Sequence, residues 1–219
     1  MIARILHTLF PPKCVLCRTI LENDETDLCH RCRIEAPVFT QSKIKLSFLA
    51  GWTCLWYYRG TVRQSLLRYK FYNHRSYADA YGRLLAMKLL SQNDFPFDIL
   101  TWVPVSRLRK LRRGYDQVEL LAKAVGRELQ VTPLKTLRKI KNNPPQSRQR
   151  FAAARRANVM NVYEPVCPDK IAGKRILILD DILTTGATLS ECAKVLLISG
   201  AKEVRAAAIA AASHEPQKQ

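Results

Sequence analysis

The stretch from residue 176 to residue 188 constrains the fold of this chain more than any other part of its sequence. It opens with a continuous apolar run, Ile176–Leu179, which is typical of a strand buried on both faces of a parallel sheet. A helix is predicted over Leu189–Ile198 and a second apolar strand over Val204–Ala212. Strand, helix and strand in this order form a right-handed βαβ unit, so the sequence predicts an α/β fold with a parallel sheet flanked by helices.

The turn between this strand and helix carries groups suited to a phosphorylated ligand. Backbone N–H groups at a helix N-terminus favour an anion, and Gly186 allows the ligand to approach the backbone closely. Hydroxyl donors for phosphate oxygens are supplied by Thr184, Thr185 and Thr188. Asp180 and Asp181 follow the apolar run and would repel a phosphate, so they are expected to face vicinal ribose hydroxyls or water bound to Mg²⁺.

The remaining sequence predicts further elements and two unequal parts. The predicted elements are strands over 52–58 and 99–105, one or two helices within 60–92 with a break near residues 73–74, and a helix over 116–130. Residues 133–158 are rich in Pro, Asn and Arg and are interpreted as a long loop or basic flap. We therefore divide the chain into a small cysteine-bearing module, 1–45, and an α/β domain, 46–219.

Four of the seven cysteines form two Cys-x-x-Cys pairs near the N-terminus, Cys14 with Cys17 and Cys29 with Cys32. A two-residue gap lets one tight turn aim two sulfurs at the same ion, and the 11 residues between the pairs are enough for a hairpin. Four thiolates suit a closed tetrahedral site, so we expect structural Zn²⁺. The alternative is redox-active or unpaired thiols. The module has too few apolar residues for an independent core.

The charge of the chain is strongly positive and unevenly distributed. Lys and Arg number 36 against 18 Asp and Glu, a formal charge of +18, which favours nucleic acid, phosphorylated small molecules or an acidic membrane surface as partners. Residues 105–156 contain 15 Lys and Arg but three acids. The hydrophobic content of 47% excludes disorder as the main description. Without a run of 18 apolar residues or a secretory signal, a cytoplasmic protein with no membrane insertion is expected.

The whole stretch from Ile176 to Thr188 resembles the signature with which type I phosphoribosyltransferases bind 5-phosphoribosyl 1-pyrophosphate (PRPP). The resemblance implies a type I phosphoribosyltransferase-like fold for the α/β domain. It also implies that Asp180 and Asp181 contact the ribose hydroxyls, with Mg²⁺ accompanying PRPP. The 5′-phosphate would then be held by Thr184, Thr185, Gly186, Ala187 and Thr188.

The order of several further motifs resembles the ComF family, whose members are linked to DNA uptake in natural competence. After the cysteine pairs, these motifs are Tyr58-Arg59-Gly60 with Lys70, Val103-Pro104-Val105, the segment 113–117, Gln146, Arg156, Asn158-Val159 and the PRPP signature. The resemblance covers nearly the full length. The family usually has a second Pro where Ser106 stands, and Phe and Asn where Tyr115 and Asp116 stand. Asp116 either adds a negative charge beside the expected anion ligands or caps the next helix.

Two polyanions compete for the basic segment, and they present similar phosphates. Pyrophosphate is expected to be bound near the strand end by Ser106, Arg112 and Arg113. Single-stranded DNA is expected on a wider surface made of Arg107, Arg109, Lys110, Arg138, Lys139, Lys141, Arg148 and Arg150. A solvated charged surface is the alternative, although such surfaces normally mix both signs. Four aromatic residues either stack on bases or, for at least half of them, lie in the core: Tyr69, Phe71, Tyr72 and Tyr77.

Two functions are compatible with these features. In the first, a protein of DNA uptake or processing binds single-stranded DNA and PRPP, and the zinc module docks a partner such as a DNA helicase. In the second, a Mg²⁺-dependent phosphoribosyltransferase transfers ribose 5-phosphate from PRPP to an acceptor and releases pyrophosphate. The sequence identifies neither an acceptor site nor a general base. A PRPP-sensing transcription regulator is a weaker interpretation, because no helix-turn-helix is evident.

Overall fold

The computed structural model of the chain describes residues 11–40, 46–72, 74–92, 95–140 and 162–212. In chain order the helices are α1 (His30–Glu35), α2 (Gly60–Phe71), α3 (Tyr77–Leu90), α4 (Arg107–Arg113), α5 (Gln117–Glu128), α6 (Pro168–Ile171) and α7 (Ala187–Ile198). The strands are β1 (Gly51–Tyr57), β2 (Ile99–Trp102), β3 (Leu137–Lys139), β4 (Tyr163–Pro165), β5 (Arg175–Leu183) and β6 (Glu203–Ala211).

Three predicted DNA ligands, Lys141, Arg148 and Arg150, lie outside the described residues, as does most of the predicted flap. Among the helices formed by the described residues, none combines the length and the apolar character of a transmembrane span.

A four-stranded parallel sheet in the order β1-β6-β5-β2 forms the centre of the fold. Strands β5 and β6 pair in parallel and α7 connects them, which confirms the predicted parallel α/β architecture. Strand β5 is longer than the apolar run that predicts it, because pairing with β6 continues as far as Leu183 opposite Ala211. Asp180 and Asp181 therefore lie within the strand and not after it.

The two faces of the sheet are covered by separate apolar layers, and β5 contributes to both. Leu177 and Leu179 lie in the layer that includes α2, α3 and α5, which we call the α2 face. Ile176 and Ile178 lie in the layer that includes α7 and the β3–β4 hairpin, which we call the α7 face. Because neighbouring strand residues point to opposite faces, Asp180 belongs to the α7 face and Asp181 to the α2 face.

Part of the segment expected to be a long loop is ordered against the sheet. Strand β3 pairs antiparallel with β4 to form a small hairpin, and the chain just before β3 runs along the edge strand β2. The N–H of Leu134 donates to the carbonyl of Leu100 at 2.8 Å, and the hydroxyls of Thr101 and Thr136 hydrogen-bond at 2.7 Å. A three-residue strand is too short to give a recognisable alternation in the sequence, which explains the difference.

The basic run after β2 forms helix α4, and polar side chains cap both α4 and α5. Ser106 precedes α4, and its hydroxyl accepts from the N–H of Arg109 at 3.4 Å. Asp116 precedes α5, and its carboxylate accepts from the N–H groups of Val118 at 3.0 Å and Glu119 at 3.1 Å. Of the two roles considered for Asp116, the structure therefore gives it the helix cap.

The N-terminal module packs onto α2 instead of forming a core of its own. Val15 and Leu16 are buried in the apolar layer of the α2 face. Their carbonyls accept hydrogen bonds from α2 side chains: the Ser65 hydroxyl donates to Val15 and the Arg68 guanidinium to Leu16. The module thus completes its core by sharing that of the larger domain.

Candidate functional site

The four predicted zinc ligands come together at one point of the N-terminal module. The Sγ atoms of Cys14, Cys17, Cys29 and Cys32 lie within 4.8 Å of one another, and those of Cys17 and Cys29 are 3.5 Å apart. Sulfurs bound to one Zn²⁺ at about 2.3 Å would be separated by about 3.8 Å, so the cluster fits the ion. Four thiolates complete a tetrahedron and leave no open position for a substrate. The site is therefore a structural zinc centre.

The turn between β5 and α7 presents backbone N–H groups at the start of a helix. Gly186 immediately precedes α7 with a φ of 74°, in the left-handed region that glycine adopts without strain. A Cβ atom at this position would lie 2.3 Å from Leu46 Cδ2, so the Leu46 side chain would have to shift to accept one. Thr184–Thr188 therefore lie at the N-terminus of α7, where backbone N–H groups and the helix dipole favour an anion.

Asp181 is buried on the α2 face with both carboxylate oxygens occupied. Lys70 Nζ lies 2.8 Å from Oδ1, and Gln117 Nε2 donates to Oδ2 at 2.9 Å. The Gln117 side-chain oxygen accepts in turn from Arg113 Nη1 at 2.8 Å. Lys70, Asp181, Gln117 and Arg113 form one polar network that joins α2, β5, α5 and α4.

Lys70 and Gln117 have no predicted role in the sequence, although both stand within the motifs of the family resemblance. A signal for Lys70 is nevertheless present, because it stands at i+8 from Val62 and i+4 from Leu66, on the buried stripe of α2. A lysine on an apolar stripe implies a buried carboxylate partner. Gln117 is the first residue of α5 and has no comparable signal, since its partners are supplied by tertiary packing.

Asp180 lies on the opposite face in a different environment. Burial raises the pKa of the Asp180 carboxyl to about 8, and the negative charge of Asp181 acts in the same direction. Lys139 Nζ lies over the Tyr163 ring, 5.3 Å from its centroid. Burial lowers the pKa of Lys139, and the negative charge of Asp180 acts in the opposite direction. Lys139, predicted as a DNA ligand, therefore lies in the electrostatic field of the β5 carboxylate.

Helix α4 separates the three predicted pyrophosphate ligands. Ser106 is a buried cap at its start, whereas Arg112 and Arg113 lie at its end, about 10 Å further along the helix axis at 1.5 Å per residue. Arg112 is exposed, and Arg113 is half-buried within the polar network. The geometry brings Arg113 towards the carboxylates of β5 but leaves Ser106 at a different end of the helix.

The described part of the predicted DNA-binding surface spans two elements. Arg107, Arg109 and Lys110 are on α4, and Arg138 and Lys139 are on β3. Lys110 pairs with Glu119 at 3.0 Å, and Arg138 pairs with Glu164. Because exposed pairs of this kind are weak, both side chains remain able to exchange a carboxylate for a phosphate.

The four aromatic residues considered for base stacking divide into two groups. Tyr69 is fully buried and Tyr77 packs against the same apolar layer, so both belong to the core. Phe71 and Tyr72 are exposed at the C-terminal end of α2. The expectation that at least half of this set lies in the core is confirmed.

Comparison with known protein families matches both parts of the chain. Residues 117–219 match the phosphoribosyl transferase domain, and residues 5–43 match the double zinc ribbon domain. Among solved structures, an allosteric regulatory enzyme of purine biosynthesis is 20% identical over 65% of this chain and 29% of that chain, with a TM-score of 0.45.

Curated relatives align with most of the chain. Competence protein F of Haemophilus influenzae is 27% identical over an alignment of 223 residues, which covers 91% of this chain and 97% of that protein. DNA utilization protein YhgH of Escherichia coli O157:H7 is 30% identical over 206 residues, with 88% and 87% covered. Competence protein ComFC of Streptococcus pneumoniae is 27% identical over 181 residues, with 83% and 75% covered.

The parallel sheet, the glycine turn within the matched domain and the four-cysteine centre define the class: a phosphoribosyltransferase-type α/β domain with an N-terminal zinc module. The similarity to YhgH of E. coli O157:H7 covers 88% of the chain at 30% identity. The chain belongs to the ComF family.

Proposed function

We propose that this chain acts in DNA uptake or processing during natural transformation, binding PRPP at the β5–α7 turn and single-stranded DNA on its basic surface. The names of its relatives, Competence protein F, ComFC and DNA utilization protein YhgH, support the cellular role. The observation that carries the PRPP proposal is the left-handed Gly186 at the start of α7, next to two carboxylates on β5.

Different groups of the site bind different parts of PRPP. The turn Thr184–Thr188 binds the 5′-phosphate, because the N-terminus of α7 and the positive end of its dipole favour an anion there. Asp180 accepts from the ribose hydroxyls or from water on Mg²⁺, since Asp181 is already engaged by Lys70 and Gln117. Mg²⁺ bound to the pyrophosphate of PRPP would neutralise part of its charge.

Isothermal titration of Mg²⁺·PRPP into the zinc-loaded protein tests this site. We expect saturable binding that weakens at least tenfold in Asp180→Asn, because an amide cannot ionise to the carboxylate that accepts from the ribose hydroxyls or from water on Mg²⁺. Asp169→Asn is the matched control, since Asp169 is an exposed acid on α6, away from the turn. Absence of binding at millimolar PRPP would refute the proposed ligand.

A phosphoribosyltransferase activity is the second candidate, and the match of residues 117–219 to the transferase domain favours it. Ribose 5-phosphate would pass from PRPP to an acceptor nucleophile while the bond from C1 to pyrophosphate breaks. Arg112 and Arg113 would stabilise the leaving pyrophosphate. Release of pyrophosphate in a screen of acceptors, above the rate of PRPP hydrolysis, separates this enzyme from a protein that only binds PRPP.

The salt dependence of binding tests the DNA surface. Each phosphate neutralised on a single strand contributes about −0.7 to the slope of log K against log salt. Arg107→Gln and Arg112→Gln are each expected to reduce the slope by about 0.7, because both arginines are exposed on α4. Arg127→Gln is the control, since Arg127 pairs with Asp79 at the far end of α5. A slope near zero in the unmodified protein would contradict phosphate contact.

A further inference from the structure

Two consecutive aromatic residues are exposed at the C-terminal end of α2. Phe71 is 62% exposed and Tyr72 is 70% exposed, whereas Tyr69 in the same turn is fully buried. Single exposed apolar residues are common on protein surfaces, but adjacent exposed rings form a patch that points to a ligand. The burial of Tyr69 already fixes α2 against the core, so the two rings are not required for folding.

A guanidinium group lies over one of these rings, and a second lies nearby over the buried ring of Tyr115. Arg113 Cζ lies 5.0 Å from the centroid of Phe71, and Arg75 Cζ lies 4.7 Å from the centroid of Tyr115. Arg75 also lies against the backbone of Gly114, which ends α4. We call Phe71, Tyr72 and Arg113 the aromatic patch. It is continuous with α4, whose seven residues include five Lys or Arg and no acid.

We propose that the aromatic patch stacks the bases of single-stranded DNA whose phosphates are bound by α4. This proposal rests on the DNA binding proposed above and assigns the contact with the bases to a surface that the basic residues alone do not define. Two exposed aromatic residues at the end of a helix rich in Lys and Arg match the two chemical components of a single strand, planar bases and regularly spaced phosphates. A duplex hides the faces of its bases within the stack, so the patch favours a single strand.

The strand would pass close to the PRPP site. Arg113 contacts Phe71 and also donates to Gln117, which in turn binds Asp181. Lys70, the ion-pair partner of Asp181, directly precedes Phe71 in the chain. The patch and the candidate PRPP site therefore share two elements, α2 and α4.

An anionic lipid surface is the rival occupant, because Leu108 and Leu111 are also exposed on α4. Lipid insertion, however, would require a continuous apolar face. Leu108 and Leu111 share one face of α4, but they are its only apolar residues among five Lys or Arg, and a guanidinium group lies over the Phe71 ring. We therefore favour the nucleic acid and keep vesicles as a second arm of the test.

Fluorescence anisotropy with an oligothymidylate and an abasic strand of equal length separates bases from phosphates. One stacked base contributes about 1–3 kcal/mol, so the unmodified protein is expected to prefer the oligothymidylate at least about fivefold. Phe71→Leu with Tyr72→Leu should remove this preference and leave affinity for the abasic strand within about twofold. Phe71→Trp should keep the preference. Phe48→Leu is the matched control, because Phe48 is an exposed phenylalanine outside the patch.

Three results would overturn the proposal. The first is equal binding of both strands by the unmodified protein, and the second is a base preference that survives in the double leucine variant. The third is loss of binding to phosphatidylglycerol vesicles in that variant with the DNA preference intact, which would assign the patch to lipid. If the unmodified protein binds neither the oligothymidylate nor the abasic strand, the proposed DNA binding itself is refuted, whatever the PRPP titration shows. Retained zinc content and thermal unfolding would show that the variants are folded.

Discussion

Gly186 lies in the turn Thr184–Thr188, which we call the phosphate turn, and packs against Leu46 in the segment before β1. A side chain there would incur the cost of a left-handed φ and would overlap the side chain of Leu46. Gly186→Ala is expected to lower the free energy of unfolding by about 2–4 kcal/mol, measured by urea denaturation, and to abolish PRPP binding.

Gly173→Ala separates the two contributions. Gly173 has a nearly identical φ of 72°, but a Cβ atom added there would meet nothing within 4 Å, so only the backbone cost of about 1 kcal/mol is expected. Equal losses in the two variants would mean that contact with Leu46 does not restrict position 186.

Asp180 makes the stability of the protein depend on pH. Burial raises the pKa of the folded carboxyl to about 8, compared with about 4 in an unfolded chain. Between these values the folded state holds a proton that the unfolded chain has released, so stability falls as the pH rises. The free energy of unfolding of Asp180→Asn, relative to that of the unmodified protein, is expected to rise between about pH 6 and 8, by at most about 1.4 kcal/mol per pH unit. Urea unfolding at several pH values measures the difference, and a constant difference would contradict the assignment.

The polar network around Asp181 joins four elements of the fold, α2, β5, α5 and α4. Lys70→Met leaves that buried carboxylate without its counter-ion and is expected to cost about 2–3 kcal/mol of unfolding free energy. In a double-mutant cycle with Asp181→Asn, the double variant should lose at least about 1 kcal/mol less than the sum of the single losses. Lys202→Met is the control, because Lys202 is an exposed lysine between α7 and β6. Additive losses would show that Lys70 and Asp181 do not interact.

The sequence predicts the elements around the site better than the side-chain contacts between them. The apolar run before Asp180 identifies β5, and the spacing of the cysteine pairs identifies the zinc centre, because both depend on residues close in the chain. A run that is buried on both faces hides its own alternation, so the opposite directions of Asp180 and Asp181 are not legible in it. The partners of Asp181 come from α2 and α5, over 60 residues away in the case of Gln117, and only tertiary packing brings them together.

At the scale of the whole molecule, zinc is expected to stabilise more than its own module. Val15 and Leu16, between the zinc ligands, bind Ser65 and Arg68 on α2. Removal of zinc by a chelator, or Cys32→Ser, should therefore lower the thermal midpoint and weaken PRPP binding as well. Cys167→Ser is the matched control, since Cys167 is exposed and lies outside the cluster. Unchanged PRPP affinity in the zinc-free protein would show that the two sites are independent.

Helix α2 spans the distance between these sites: Ser65 and Arg68 hold the zinc module, and Lys70 holds Asp181 a few residues later. The supply of zinc during synthesis would then limit the binding of PRPP. A chain completed while zinc is scarce would have every residue of the phosphate turn yet lack the support that positions Lys70. The cell's zinc status, and not only the abundance of the protein, would set how many molecules are ready to bind PRPP.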